Sequence, residues 1–159
     1  MSPMVESQIE GALRALCPGG KAESWDRGRR ARDVKLAVGE IGKRLGCQVY
    51  SRAHPDRGEW IWDMTWIRGK DGLEEEIVLA LESEWGSPQE IFNDFQKLMP
   101  ARPSHRVMVF QAASSSAAEK MTKGLLEEVS RYRGKRPGDR YLFACWLESN
   151  EFWFYRHVV

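Results

Sequence analysis

Three acidic residues, Asp63, Glu82 and Glu84, stand beside apolar segments of this 159-residue chain, where a carboxylate is costly. Asp63 interrupts the aromatic and β-branched run 60–67, and the two glutamates follow the apolar run 77–81. Because side chains alternate between the two faces of a strand, pairing these segments as a hairpin would bring the three carboxylates to one face. Converging carboxylates repel one another unless a cation neutralises them, and Mg²⁺ or Mn²⁺ prefers such oxygen ligands.

A divalent ion held there would generate hydroxide and stabilise the charge of a phosphoryl transition state. The pattern therefore predicts Asp63, Glu82 and Glu84 as metal ligands and catalytic residues. A simpler interpretation stays open at this point. Strand ends often emerge into solvent, so Glu82 and Glu84 could be exposed there, and Asp63 could pair with an Arg or a Lys.

A lysine on the following helix adds to the metal-site interpretation. Glu90, Asp94 and Lys97 recur at i, i+4 and i+7 and form one polar stripe of an otherwise apolar helix. Lys97 can thus point back over the sheet, where an amino group orients the attacking water or stabilises developing negative charge. The alternative is a surface ion pair between Asp94 and Lys97, worth only a few tenths of a kcal/mol.

The elements that must position these residues follow from the hydrophobic pattern. Gly39 and Gly42 fall inside a predicted helix, where each glycine costs about 1 kcal/mol of helix stability relative to alanine. Their presence despite this cost favours close packing of that helix on a sheet. The predicted helices cover residues 4–16, 24–45, 89–99 and 114–132, and the predicted strands cover residues 47–51, 60–67, 76–82, 106–111, 141–147 and 152–158. This order, α-α-β-β-β-α-β-α-β-β, predicts an α/β sandwich in which helices cover both faces of a mixed sheet.

Length and composition exclude several classes of protein. Lys and Arg number 24 against 23 Asp and Glu, and the net charge of +1 excludes a histone-like polycation. No apolar run reaches the 18 residues of a membrane span, and the first residues do not have the pattern of a secretory signal. Cys17, Cys47 and Cys145 are too widely spaced for a zinc cluster or a disulfide framework, so we expect reduced thiols in a cytoplasmic protein without membrane contact.

The charge is segregated along the chain. Residues 21–35 hold six basic residues and residues 131–140 hold five, whereas residues 71–84 hold six acidic residues and no basic one. Basic flanks around an acidic strand region suit a metal site between phosphate-binding surfaces. The alternative is that each run is a solvated loop. The predicted nucleic-acid-binding residues are Arg29, Arg30, Arg32, Arg133, Lys135 and Arg136.

These residues and elements resemble the PD-(D/E)XK nuclease superfamily, which has the restriction-endonuclease-like fold. The matching pieces are a long helix, Asp63 on a hairpin strand, LALESEW at 79–85, a helix carrying DFQKL at 94–98, and the buried strand VMVF. The likeness spans roughly residues 30–130. It implies a three-layer α/β/α sandwich with a mixed central sheet, and one nuclease-like domain over residues 1–159, with an N-terminal helix and loop at 1–23 and the core at 24–159.

The resemblance also implies roles for individual residues. Asp63 and Glu82 correspond to the metal ligands, Lys97 to a catalytic lysine that has moved to the next helix, and Glu40 to a further carboxylate of the long helix. Glu84 stands where the superfamily usually has the lysine, which is a departure. The implied activity is Mg²⁺- or Mn²⁺-dependent hydrolysis of DNA phosphodiesters by a protein that often dimerises.

Two further hypotheses compete with the nuclease. One is a catalytically inactive module of the same fold that binds nucleic acid or takes part in protein–protein assembly, which the departure at Glu84 favours. The other is a protein-interaction module whose exposed tryptophans make the contact.

Overall fold

Four helices and six strands follow one another in the predicted order. The computed structural model describes residues 2–16, 25–54, 58–71 and 73–159. The helices are α1 (Ser2–Ala15), α2 (Arg27–Arg44), α3 (Pro88–Gln96) and α4 (Ser115–Arg131). The strands are β1 (Gln48–Tyr50), β2 (Met64–Lys70), β3 (Leu73–Ser83), β4 (His105–Ala112), β5 (Arg140–Leu147) and β6 (Phe152–Val158). Cys17, Lys21 and the predicted boundary at 23/24 lie outside the described residues.

The six strands form one mixed sheet in the order β1-β2-β3-β4-β5-β6. The three central strands, β3, β4 and β5, are parallel, and each connection between them contains a helix. The outer pairs β1–β2, β2–β3 and β5–β6 are antiparallel. The predicted mixed α/β sheet is confirmed, and the apolar segments 77–81 and 107–110 lie in β3 and β4, at its centre.

Helices cover both faces of the sheet because successive central-strand residues point in opposite directions. In β4, Val107 and Val109 join a core with α1 and α2, whereas Met108 and Phe110 join a core with α3 and α4. We call these the α2 face and the α3 face. No helix in the described part of the chain is long and apolar enough to cross a membrane.

Local signals fix where the helices begin and how closely they pack. Ser87 accepts a hydrogen bond from the Glu90 N–H and the Glu90 carboxylate accepts one from the Ser87 N–H, so a capping box starts α3. A Cβ on Gly42 would lie 2.7 Å from the Trp66 indole, and one on Gly39 would overlap the His54 ring. The interpretation of these two glycines as close-packing positions is confirmed.

The predicted strand over 60–67 is wrong at its start. β2 begins only at Met64, and residues 61–63 form a bend, so strand alternation does not extend back to Trp60. A strand over the whole of 60–67 would have placed Trp60, Trp62, Met64 and Trp66 on one face. Trp62 packs on the α3 face, whereas Met64 and Trp66 pack on the α2 face.

Candidate active site

The carboxyl groups of Asp63 and Glu82 meet on the α3 face. Asp63 lies directly before β2, and Glu82 is the penultimate residue of β3. Because Met64 pairs with Leu81, the antiparallel register places Asp63 opposite Glu82. One Asp63 oxygen accepts hydrogen bonds from the Ser83 N–H at 2.8 Å and the Ser83 hydroxyl at 3.4 Å. The structure thus brings these two predicted residues together and holds Asp63 through the backbone of β3.

Glu82 is almost completely buried, with 2% of its surface exposed. Burial first, and then the neighbouring Asp63 carboxylate, raise the pKa of Glu82 to about 9. The two carboxyl groups are hydrogen-bonded to each other, which also raises the pKa of Glu82. Glu82 therefore keeps its proton at neutral pH in the metal-free protein.

Lys97 lies between this carboxyl pair and a third acid. Its Nζ is 2.8 Å from Asp94 Oδ1 and 3.9 Å from Glu82 Oε2. The hydrogen bond to Asp94 is the main reason that the pKa of Lys97 is raised, so the amino group stays charged. Because Glu82 is protonated, Lys97 forms its ion pair with Asp94 and only lies close to Glu82. The Lys97 side chain therefore has both the ion pair with Asp94 and the position near the carboxyl pair that the two interpretations describe.

Among the described residues, Glu84, the third predicted carboxylate, is not grouped with Asp63 and Glu82 into a cluster that could hold a metal ion. Its Oε1 accepts a hydrogen bond from the Gly86 N–H at 2.7 Å and lies 3.5 Å from Arg27 Nη2. Glu84 also forms a side-chain hydrogen bond with Asp94, and its pKa is raised by burial and then by that contact. The structure therefore groups Glu84 with Asp94 and Arg27.

The donors available to a divalent ion are thus the carboxylates of Asp63 and Glu82. Within residues 2–16, 25–54, 58–71 and 73–159, no three His, Cys, Asp or Glu side chains are grouped to hold a metal ion. Mg²⁺ is nevertheless commonly bound through one or two carboxylates while it keeps several waters and binds substrate phosphates. At the Asp63–Glu82 pair, such an ion would replace the proton that lies between the two carboxyl groups, and both carboxylates would then be its ligands.

Two buried side chains hold the end of α3, which carries Lys97. The Trp62 indole Nε1 donates to the Lys97 carbonyl at 3.0 Å, and Arg106 Nε donates to the Leu98 carbonyl at 3.1 Å. These carbonyls belong to the helix end, where intrahelical partners are missing. Trp62 directly precedes Asp63, so one side chain couples the position of Asp63 to that of Lys97.

Glu40, the further carboxylate that the resemblance implied, lies apart from the pair. It belongs to α2, whose buried residues Val34, Val38 and Ile41 pack on the opposite face of the sheet from Glu82. The Glu40 side chain is 61% exposed, and its carboxylate lies 3.1 Å from Lys43 Nζ. The structure does not bring Glu40 to Asp63 and Glu82.

The six predicted nucleic-acid-binding residues fall into two separate clusters. Arg29, Arg30 and Arg32 lie near the start of α2, where Arg27 reaches Glu84. Arg133, Lys135 and Arg136 are exposed in the connection from α4 to β5. That connection lies at the amino ends of the parallel strands, whereas Glu84 follows the carboxyl end of β3. The two clusters are therefore at opposite ends of the strands.

Arg30 differs from the other members of its cluster because it is half-buried. Its guanidinium lies 5.4 Å from the centre of the Trp85 ring, and it donates to the Trp25 carbonyl at 2.8 Å and to Gln111 at 3.3 Å. Burial is the main cause that lowers the pKa of Arg30. These contacts give Arg30 a packing role, whereas Arg29 and Arg32 are exposed.

A cavity of about 1120 Å³ lies next to the site but does not include the carboxyl pair. It opens between α3 and α4 at the carboxyl ends of the parallel strands, with Phe92, Met121 and Trp146 in its wall. Asp63, Glu82 and Lys97 therefore lie outside this cavity, and the geometry of their side chains defines the candidate site.

Two members of the site were not predicted from the sequence as functional residues. Asp94 bridges Lys97 and Glu84, and its spacing of three from Lys97 was a usable signal. Trp62 gave no signal, because its partner Lys97 is 35 residues away in sequence.

Comparison of this chain with protein-family models, with curated proteins and with solved structures finds no match. The residues of the site themselves must therefore support any functional conclusion.

Proposed function

We propose that this protein is a divalent-metal-dependent nuclease that hydrolyses phosphodiester bonds of DNA. The observation that carries the proposal is the pairing of buried Glu82 with Asp63, with the Lys97 amino group 3.9 Å from Glu82. Strongly shifted carboxyl groups with a specific charge partner are concentrated at functional sites. The order of elements and the mixed sheet support a restriction-endonuclease-like sandwich, which is part of the same proposal.

In this proposal Asp63 and Glu82 hold Mg²⁺ or Mn²⁺. When bound, such an ion would supply activation of the attacking water and charge stabilisation at the phosphoryl group. The Ser83 N–H fixes the Asp63 carboxylate, since it donates a 2.8 Å hydrogen bond to Oδ2. Lys97 remains charged through Asp94 and donates a hydrogen bond to the attacking water or to a phosphoryl oxygen.

The second candidate is a module of the same fold that binds nucleic acid or assembles with another protein without catalysis. The observation that favours it is the position of Glu84. Glu84 stands where the superfamily usually has a lysine, and its carboxylate contacts Gly86 and Arg27. The candidate metal site therefore has two carboxylates, one fewer than the sequence predicts. The exposed Arg29 and Arg32 would serve binding in either case.

A cleavage assay separates the two candidates. Wild-type protein is incubated with single- and double-stranded DNA in Mn²⁺, in Mg²⁺ and in a chelator, beside Asp63→Asn and the surface control Glu119→Gln. We expect metal-dependent cleavage by wild type and by Glu119→Gln, and background cleavage by Asp63→Asn. Inactivity of the folded wild type on both substrates would contradict the nuclease and favour the second candidate.

Thermal unfolding gives a reading of metal binding that does not depend on turnover. We expect Mn²⁺ to raise the melting temperature of wild type and of Glu119→Gln, because an ion that binds only the native state stabilises it. Asp63→Asn should lack this rise. Equal shifts in all three proteins would place the ion elsewhere.

A further inference from the structure

Exposed aromatic and apolar side chains lie directly before the candidate active site. Trp60 is 46% exposed and Ile61 is 59% exposed, three and two residues before Asp63. The Trp60 ring centre lies 6.0 Å from that of Tyr50, and the two ring planes are inclined by 40°. Single exposed apolar residues are ordinary, but an aromatic pair next to a reactive site is a candidate contact surface. We call Trp60 and Tyr50 the aromatic platform.

The aromatic platform and the carboxyl pair lie on the same face of the sheet. Val49 packs into the α2-face core, so its neighbour Tyr50 points to the opposite, α3 face. Leu81 likewise packs on the α2 face, so Glu82 points to the α3 face. Three residues span at most about 11 Å, which limits the Cα distance between Trp60 and Asp63.

Contacts on both sides of Trp60 fix the platform. Arg52 Nε lies 3.2 Å from the Glu59 carboxylate on one side, and Trp62 is buried and bonded to the Lys97 carbonyl on the other. Glu59 and Trp62, on either side of Trp60, therefore both have partners elsewhere in the fold.

The charge around the platform defines the chemistry that it can bind. Glu59 and Glu74 border the rings, and the Tyr50 hydroxyl donates to Glu74 at 3.0 Å, so close approach of several phosphates is unfavourable. A base offers an uncharged face to an aromatic ring, and stacking of this kind tolerates any sequence. Bases of an intact duplex are stacked on each other, so only an unpaired base can reach Trp60.

We infer that the aromatic platform stacks an unpaired base while the adjoining phosphodiester lies at Asp63 and Glu82, so that the substrate is single-stranded nucleic acid. This inference rests on the proposed function, because the same site is assigned its substrate class. In this inference Arg52, whose side chain is 79% exposed and paired with Glu59, is the cation that would meet one flanking phosphate.

The test measures binding of a fluorescently labelled oligothymidylate and of a labelled duplex in a chelating buffer, where no cleavage occurs. The proteins are wild type, Trp60→Ala, Trp60→Phe and Tyr155→Ala, the last being a matched exposed aromatic of β6 with 43% exposure. We expect Trp60→Ala to weaken oligothymidylate binding about ten-fold or more. Trp60→Phe and Tyr155→Ala should bind like wild type, and the fold-loss should be the same at low and high salt, since stacking is not ionic.

The inference is overturned if wild type binds the duplex as tightly as the single strand, if it binds neither, or if Trp60→Ala binds like wild type. It is also overturned if the Trp60 substitution alters only self-association, measured by light scattering. Cleavage by wild type and Asp63→Asn is measured in parallel with Mn²⁺. Asp63-dependent cleavage without any effect of Trp60 removes the platform alone, whereas Trp60-dependent binding without cleavage removes the nuclease alone.

Discussion

Two buried glutamates of this protein have opposite surroundings. Glu6 of α1 is 1% exposed, and Arg140 donates to its two oxygens at 3.1 and 3.0 Å, with Arg156 Nε at 3.8 Å. Glu82 of β3 is 2% exposed, and its nearest partners are the Asp63 carboxylate and Lys97 at 3.9 Å. One buried acid is fully compensated by guanidinium groups, and the other faces a second acid.

The difference separates a structural acid from a reactive one. The Glu6 contacts tie α1 to β5 and β6, where Glu10 also lies 2.7 Å from Arg156 Nε, so this network joins the N-terminal helix to the sheet. At the Asp63–Glu82 pair, the buried acid Glu82 instead keeps its proton, because burial and the second acid raise its pKa to about 9. Carboxyl groups shifted in this way are concentrated at functional sites.

The same substitution should destabilise the protein at Glu6 and not at Glu82. Glu6→Gln leaves Arg140 without its carboxylate, and we expect the free energy of unfolding to fall by about 3 kcal/mol. Glu82→Gln removes an acid that is already protonated, and we expect no loss at neutral pH. Urea unfolding in a chelating buffer measures both, and a large loss for Glu82→Gln would mean that this carboxyl is structural.

The cations beside the two acids should differ in what they support. Lys97→Met should lower the rate of DNA cleavage about 100-fold, because an amino group aimed at developing charge is lost. Its stability should change little, since the Lys97 side chain is 54% exposed. Single-turnover cleavage and urea unfolding test this together. Equal cleavage by Lys97→Met and wild type would show that Lys97 only pairs with Asp94.

The elements and the core were predictable from the sequence, but the details of the site were only partly so. The apolar runs of β4 and β5 are local signals, so they located these two strands within one residue at each end. The meeting of Asp63 with Glu82 followed from pairing the two segments as a hairpin. The bend at 61–63 interrupts alternation, and for that reason the direction of Trp62 was not predicted. The contact of Glu84 with Arg27, 57 residues away in sequence, had no local signal.

Long-range ion pairs were beyond prediction for a different reason. Glu6 and Arg140 are 134 residues apart in sequence, and no spacing rule links them. Their contact depends on where α1 lies against the sheet. The spacing of four between the buried residues Ile9 and Leu13 fits one face of a helix, but it does not identify the strands beneath that face.

The raised pKa of Glu82 should make stability depend on pH. The pKa of Glu82 is 4.5 in the unfolded chain and about 9 in the folded protein. Between these two pH values the folded protein therefore binds one proton more than the unfolded chain. The contribution of Glu82 to stability is complete below the unfolded pKa and is lost as pH rises towards 9, by at most about 1.4 kcal/mol per pH unit. Urea unfolding across this range in a chelating buffer should show the decline in wild type.

Glu82→Gln is the control, because it has no proton to lose there and should lack this part of the decline. Burial is the main cause that lowers the pKa of His105, so the contribution of His105 to stability is lost as pH falls. Both proteins contain His105, so subtracting the Glu82→Gln curve from the wild-type curve removes this contribution. Parallel curves for the two proteins would contradict the shifted pKa.

The smallest expected effect is that of the Trp62 hydrogen bond. Trp62→Phe keeps an aromatic ring in the α3-face core but removes the donor to the Lys97 carbonyl, and we expect a stability loss of about 1 kcal/mol. Because Trp62 couples Asp63 to Lys97, cleavage should fall more than binding of single-stranded DNA. Comparison of kcat with KM for the variant measures this, and a change confined to KM would remove the positioning role.

The most direct test of the Asp63–Glu82 site is anomalous diffraction from a crystal grown with Mn²⁺. The expected result is a Mn²⁺ peak within about 2.1 Å of a carboxylate oxygen of both Asp63 and Glu82. No peak should occur at the compensated Glu6, nor at the pair in Asp63→Asn crystals. A fully occupied ion elsewhere, with the hydrogen-bonded acid pair unchanged at a pH where Mn²⁺ supports cleavage, would contradict the site.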